Sequence, residues 1–199
     1  MASPTLTAGG LRSARVLAAG TTLRILLVPV VMGLVLADTG ATGNAALLAA
    51  AVFFVAAATD YVDGYLARRW NVTTTLGSFL DTTADKLLVS GVLVALVAVE
   101  RVSPWIAVII VGRELVILGL RGAVAVDGGV VQPSLLGKSK TAVQFLAILL
   151  AIVRPGDPIG GLYLDEWTML AAAAITIFSA VDYLVRFSSA LTAPEPPRP

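Results

Sequence analysis

Apolar runs recur six times along the chain, each closed by a short polar joint. They lie near 22–38, 44–66, 77–99, 104–123, 140–154 and 167–187, and about 20 apolar helical residues cross a hydrocarbon core. The joints carry turn chemistry: Asp38, Thr39 and Gly40; Asn71 to Thr75; Ser103 and Pro104; Asp127, Gly128 and Gly129; Pro155, Gly156, Asp157 and Pro158. The pattern predicts an all-α polytopic membrane protein with six transmembrane helices, in one domain over 21–190. Residues 1–20 form a tail, with a short interfacial helix expected over 10–19, where Arg12 and Arg15 stand among Leu, Val and Ala. The proline-rich end, 191–199, is expected to be disordered.

Composition agrees with this pattern. Hydrophobic residues make up 57% of the 199 residues and charged ones 14%, with mean hydropathy +0.89, beyond the usual soluble domain. A net charge of +1 gives no excess for neutralising a nucleic-acid backbone. The chain has no cysteine and no histidine, which removes disulfides, thiol nucleophiles, imidazole triads and Cys/His zinc sites. Any metal must be held by oxygen, which favours hard cations such as magnesium, manganese or calcium.

Basic residues are unevenly placed against the six runs. Arg12, Arg15, Arg24, Arg68, Arg69, Lys86, Arg113, Arg121, Lys138, Lys140, Arg186 and Arg198 fall on, or lead to, the side of the N-terminus, and only Arg101 and Arg154 fall opposite. The positive-inside tendency then predicts both termini on the cytoplasmic side of the cell membrane. Trp105 and Trp167 fall at outer ends and Trp70 at an inner one, as in an aromatic belt. The basic start and apolar core of 12–37 imitate a signal peptide, but the later runs argue for a retained span.

Four aspartates interrupt this apolar background. At about 100° per residue, Asp60, Asp63, Gly64 and Ala67 share one helical stripe, and Gly77, Asp81 and Asp85 share another. Two neighbouring helices thus each aim two carboxylates at one place. Burying such charges costs several kcal/mol apiece unless cations compensate, so the spacing points to divalent metal. Paired carboxylates of this kind suit phosphoryl transfer, where bound ions stabilise attacking and leaving oxygens. Gly64 and Gly77 lie on the same stripes, where a missing side chain lets a ligand approach the backbone.

The run from Asp60 through Asp63, Gly64, Ala67, Arg68, Gly77 and Asp81 to Asp85 resembles the defining motif of the CDP-alcohol phosphotransferase family. The resemblance extends to Thr21 and Arg24, to Gly112, Arg113, Glu114 and Arg121, and to Gly137, Lys138, Lys140, Thr141 and Gln144. That wider pattern is similar to bacterial members that make phosphatidylglycerophosphate. One departure is Ala18, where an asparagine often stands three residues before the threonine.

The resemblance implies transfer of the phosphatidyl group of CDP-diacylglycerol to glycerol 3-phosphate, with release of CMP, in phospholipid biosynthesis. It implies two divalent cations, Mg2+ or Mn2+, on Asp60, Asp63, Asp81 and Asp85, with Asp85 also the catalytic base. CDP-lipid contacts are implied for Thr21, Arg24, Thr59, Gly64, Ala67, Arg68 and Gly77. Acceptor-phosphate contacts are implied for Arg113, Arg121, Lys138, Lys140 and Thr141, and a homodimer for the assembly. Charge alone does not separate glycerol 3-phosphate from inositol phosphate; phosphatidylglycerol and serine are the other acceptors. A divalent-cation transporter, the alternative from another class, would spread acidic residues across both membrane halves. Here they cluster at the inner side, with Glu100, Asp165 and Glu166 at the outer ends.

Overall fold

Among the described residues the chain forms six helices: α1 (Ala8–Leu36), α2 (Asn44–Trp70), α3 (Thr75–Ala98), α4 (Pro104–Val126), α5 (Leu135–Val153) and α6 (Leu164–Leu191). The computed structural model describes residues 8–38, 44–70, 75–126 and 135–191; side chains at 8–17, 60–62, 64–70, 75, 76, 78, 125, 126, 135–139, 186 and 188–191 fall outside the description. The expected turns at 39–40, 71–74 and 127–129, and the tail beyond Leu191, also lie outside it. The all-α expectation holds, and each apolar run is helical. Residues 10–19 are helical too, continuous with the first run in α1.

Among the described residues two stretches, against the six spans expected, are long and apolar enough by themselves to cross a membrane: Ala18–Leu36 and Leu164–Val185. Asn44–Thr59 and Lys140–Val153 are shorter apolar segments. Charges interrupt the apolar sequence of α3 at Asp81, Asp85 and Lys86, and that of α4 at Arg113, Glu114 and Arg121. Large apolar side chains nevertheless face outward: Phe178 is 72% exposed, Val108 65% and Leu26 62%. Such surfaces mark a lipid or protein environment.

The chain divides into two compact units, residues 1–102 with 151–153, and 103–150 with 154–199. In the first, α1 packs against both α2 and α3. Val28, Val31 and Val35 recur at helical spacing on the buried face of α1, opposite Leu88, Val92 and Leu96 of α3. Gly91 sets the closeness of that crossing, since a Cβ there would stand 2.7 Å from Val28 Cγ1. Small side chains, Ala46, Ala49, Ala50 and Ala56, line α2 beside Phe53, as tight membrane helix packing favours.

The end of α3 is closed by a left-handed residue, Glu100 at φ 58°. Arg101 N–H then reaches Leu96 C=O at 2.9 Å, and Glu100 N–H reaches Val97 C=O at 3.1 Å, a Schellman closure. Arg101 also donates to Asp38 at 2.7 Å and to the Ile152 carbonyl.

In the second unit α4 packs against α6. Arg154, at φ 45°, ends α5, its N–H on Leu150 C=O. Gly160 and Gly161, both at positive φ, turn the chain between Ile159 and Leu162. Glu166 accepts from Tyr163 N–H at 2.8 Å and caps the start of α6.

Candidate active site

The first unit brings two of the motif aspartates onto one cation. Arg24, fully buried on α1, donates from Nη1 to Asp81 Oδ1 at 2.9 Å and lies 3.5 Å from Asp63 Oδ2 through Nη2. Its Nε donates to the Ala56 carbonyl at 3.3 Å. A guanidinium suits this place because its rigid fork serves several oxygens at once. Thr21, one turn earlier on the same face, donates to Asp81 Oδ1 at 3.4 Å. α1, α2 and α3 therefore meet at Arg24, each contributing a polar group to an otherwise apolar core.

Gly20 belongs to this site, although the motif did not single it out. A Cβ at Gly20 would collide with the Asp63 carboxylate. The sequence signal was present: Gly20 lies four residues before Arg24, on the same face of α1.

Asp85, one turn beyond Asp81 on α3, receives Lys86 Nζ on Oδ2 at 2.6 Å. Among the described residues no three acidic side chains gather into a metal-holding group. The described part of the site is thus an Asp63–Arg24–Asp81 bridge, with Asp85 held by Lys86. Asp60, Gly64, Ala67 and Arg68 are on α2, but the side chains of Asp60, Ala67 and Arg68 lie outside the described residues. Gly77 is exposed in the first turn of α3. Thr59 Oγ1 donates to the Val55 and Ala56 carbonyls, a local helix bond.

The second unit holds the residues expected to bind an acceptor phosphate. Glu114, buried on α4, receives Lys140 of α5 and, at 3.3 Å, Arg113 Nη1 on the same oxygen. Arg113 Nη2 donates to Ser179 Oγ of α6 at 2.8 Å. Arg121, exposed two turns further along α4, lies 5.7 Å from the centre of the Tyr183 ring. Thr141 is exposed at the start of the described part of α5, and the Lys138 side chain lies outside the described residues. Four of the five expected acceptor residues thus stand in this unit with described side chains, and a buried glutamate ties two of them together.

The sequence profile of the CDP-alcohol phosphatidyltransferases matches residues 18–178. The chain belongs to that family. It is a phosphatidyltransferase of a membrane-associated, phospholipid-synthesising class. Over 137 residues it is 42% identical to a CDP-diacylglycerol–glycerol-3-phosphate 3-phosphatidyltransferase of Bacillus subtilis (strain 168), covering 64% of this chain and 71% of the relative. A Pseudomonas fluorescens protein of the same name is 37% identical over 171 residues, 82% of this chain and 85% of its own. A "probable phosphatidylglycerophosphate synthase" of Mycobacterium tuberculosis (strain ATCC 25618 / H37Rv) is 36% identical over 167 residues, 83% of this chain and 78% of its own.

The first unit gathers acidic oxygens of α2 and α3 around Arg24, and the second gathers cations of α4 and α5 around Glu114. The described carboxylates of the first unit's motif, Asp63, Asp81 and Asp85, offer oxygen donors. The donor set therefore fits a hard divalent cation better than a soft one.

Proposed function

We infer that the chain transfers the phosphatidyl group of CDP-diacylglycerol to glycerol 3-phosphate, giving phosphatidylglycerophosphate and CMP. Sustained identity to curated enzymes named for that reaction carries the choice of acceptor. The buried cations around Glu114 support it, because the acceptor is a phosphomonoester dianion.

In the reaction the acceptor hydroxyl oxygen attacks the phosphorus bearing diacylglycerol. The bond from that phosphorus to the CMP oxygen breaks, and the hydroxyl proton passes to a base. Asp85 is that base: Lys86 occupies its Oδ2, leaving Oδ1 for the proton. Asp60, Asp63, Asp81 and Asp85 would hold two Mg2+ or Mn2+ ions, which when bound offset the diphosphate charge. Arg24 orients Asp63 and Asp81 from α1, and Thr21 adds a hydrogen bond to Asp81. Thr21, Arg24, Thr59, Gly64, Ala67, Arg68 and Gly77 line the CDP-lipid side. Arg113, Arg121, Lys138, Lys140 and Thr141 take the acceptor phosphate.

All six helices of the 21–190 domain cross the cell membrane in this reading, with both termini and the aspartates cytoplasmic. The outward Phe178, Val108 and Leu26 support a lipid surroundings. By the family resemblance the working unit is a homodimer.

The test is CMP release by purified protein in detergent with CDP-diacylglycerol and Mg2+ or Mn2+. Release is expected with glycerol 3-phosphate and not with serine, inositol or inositol phosphate. Equal turnover with inositol phosphate would overturn the acceptor assignment.

A further inference from the structure

Helix α6 carries a polar face that the motif residues leave out. Thr176, Ser179 and Tyr183 recur at three- and four-residue spacing, which stacks them on one side of the helix. All three are buried. Both α4 arginines assigned to the acceptor end on this face: Arg113 on Ser179 Oγ at 2.8 Å, and Arg121 over the Tyr183 ring at 5.7 Å.

Two polar atoms here have no hydrogen-bond partner among the described residues, although both are buried: the Tyr183 hydroxyl and Arg113 Nε. Each is a donor. Thr176 Oγ1, deeper on the same face, is likewise unpartnered. Leaving a buried donor unpaired costs on the order of 1–3 kcal/mol, and buried tyrosine hydroxyls usually find an acceptor. Two guanidinium groups, those of Arg113 and Arg121, end on this same face. Unsatisfied buried donors beside guanidinium groups suit an anion with several oxygens.

We propose that Tyr183 is a substrate-binding residue of the acceptor site, its hydroxyl donating a hydrogen bond to the phosphate of the acceptor while Arg113 and Arg121 supply the charge. This rests on the phosphorylated-acceptor reading above and adds α6 to a site otherwise drawn from α4 and α5. The ring holds Arg121 by cation–π contact, and the hydroxyl adds direction that the two cations lack. A site built this way selects a phosphomonoester over a neutral alcohol, because a neutral acceptor would leave the hydroxyl and Arg113 Nε buried and unpaired.

The experiment compares wild type with Tyr183→Phe, which keeps the ring and its Arg121 contact and removes the hydroxyl alone. KM for glycerol 3-phosphate is expected to rise on the order of tenfold, with kcat and the KM for CDP-diacylglycerol within about twofold. The inhibition constant of inorganic phosphate against glycerol 3-phosphate should rise in parallel, and the detergent unfolding midpoint should not fall. A KM for glycerol 3-phosphate within twofold of wild type would overturn the role of Tyr183. So would a fallen midpoint with unchanged phosphate inhibition, which marks a packing role. Absence of wild-type turnover with glycerol 3-phosphate would instead remove the acceptor reading itself, so the two failures are distinguishable.

Discussion

Arg24 and Asp81 form an ion pair from α1 to α3, Nη1 to Oδ1 at 2.9 Å, with the arginine side chain wholly buried. Asp63 of α2 shares the same guanidinium at 3.5 Å. One cation thus ties together three helices and half of the aspartate motif. Without it, two carboxylates would face each other with no positive charge in this bridge.

Arg24→Met keeps length and removes charge. Breaking a buried pair costs roughly 3–5 kcal/mol; partial exposure of Asp81 lowers the expectation to about 2–3 kcal/mol. The measurement is detergent unfolding. Arg24→Lys should recover part of that loss and little activity, because an ammonium cannot span Asp63, Asp81 and the Ala56 carbonyl together. Full activity in Arg24→Lys would contradict the bridging geometry.

Gly20→Ala and Gly33→Ala form a matched pair on α1. At Gly20 the added methyl meets the Asp63 carboxylate, whereas at Gly33 nothing lies within 4 Å. Helix propensity favours alanine at both by roughly 0.5–1 kcal/mol. Gly33→Ala should therefore be neutral or slightly stabilising with normal CMP release. Gly20→Ala should lose on the order of tenfold or more in activity, as expected when a reacting group is displaced by about an ångström. Equal activity of the two variants would show that the Gly20 contact has no bearing on catalysis.

Asp85→Asn removes the base while preserving shape. CMP release should fall by at least about 10²-fold, with CDP-diacylglycerol binding retained in a filter or calorimetric assay. Near-normal release would exclude Asp85 as the proton acceptor.

Lys140 and Arg113 meet on one carboxylate oxygen of Glu114. Glu114→Gln should destabilise the protein by about 3 kcal/mol, since it removes the carboxylate charge beside buried Lys140. Glu114→Leu combined with Lys140→Leu should recover much of that stability while weakening use of glycerol 3-phosphate. Unfolding midpoints of the single and double variants measure the coupling.

Much of this was legible in the chain because apolar runs and turn residues act over short distances. All six helices sit on predicted runs. α1 reached further, back to Ala8, because Arg12, Arg15 and two glycines hid helical continuity behind a weaker apolar pattern. That Asp63 of α2 and Asp81 of α3 face one place was readable from spacing. The role of Arg24 on those carboxylates was not, since its partners lie 39 and 57 residues away and periodicity carries no information at that range. Ser179 and Tyr183 were missed for the same reason: their significance comes from Arg113 and Arg121, on another helix.

The claim beneath the proposal is that the α2 and α3 carboxylates act together on divalent cations. Titrating Mn2+ into the purified protein while following free Mn2+ by electron paramagnetic resonance tests it without turnover. The account predicts two Mn2+ bound per chain in the presence of CDP-diacylglycerol, with loss of binding in Asp63→Asn and in Asp81→Asn. Absence of bound Mn2+ in wild type, or undiminished binding in both variants, would contradict it.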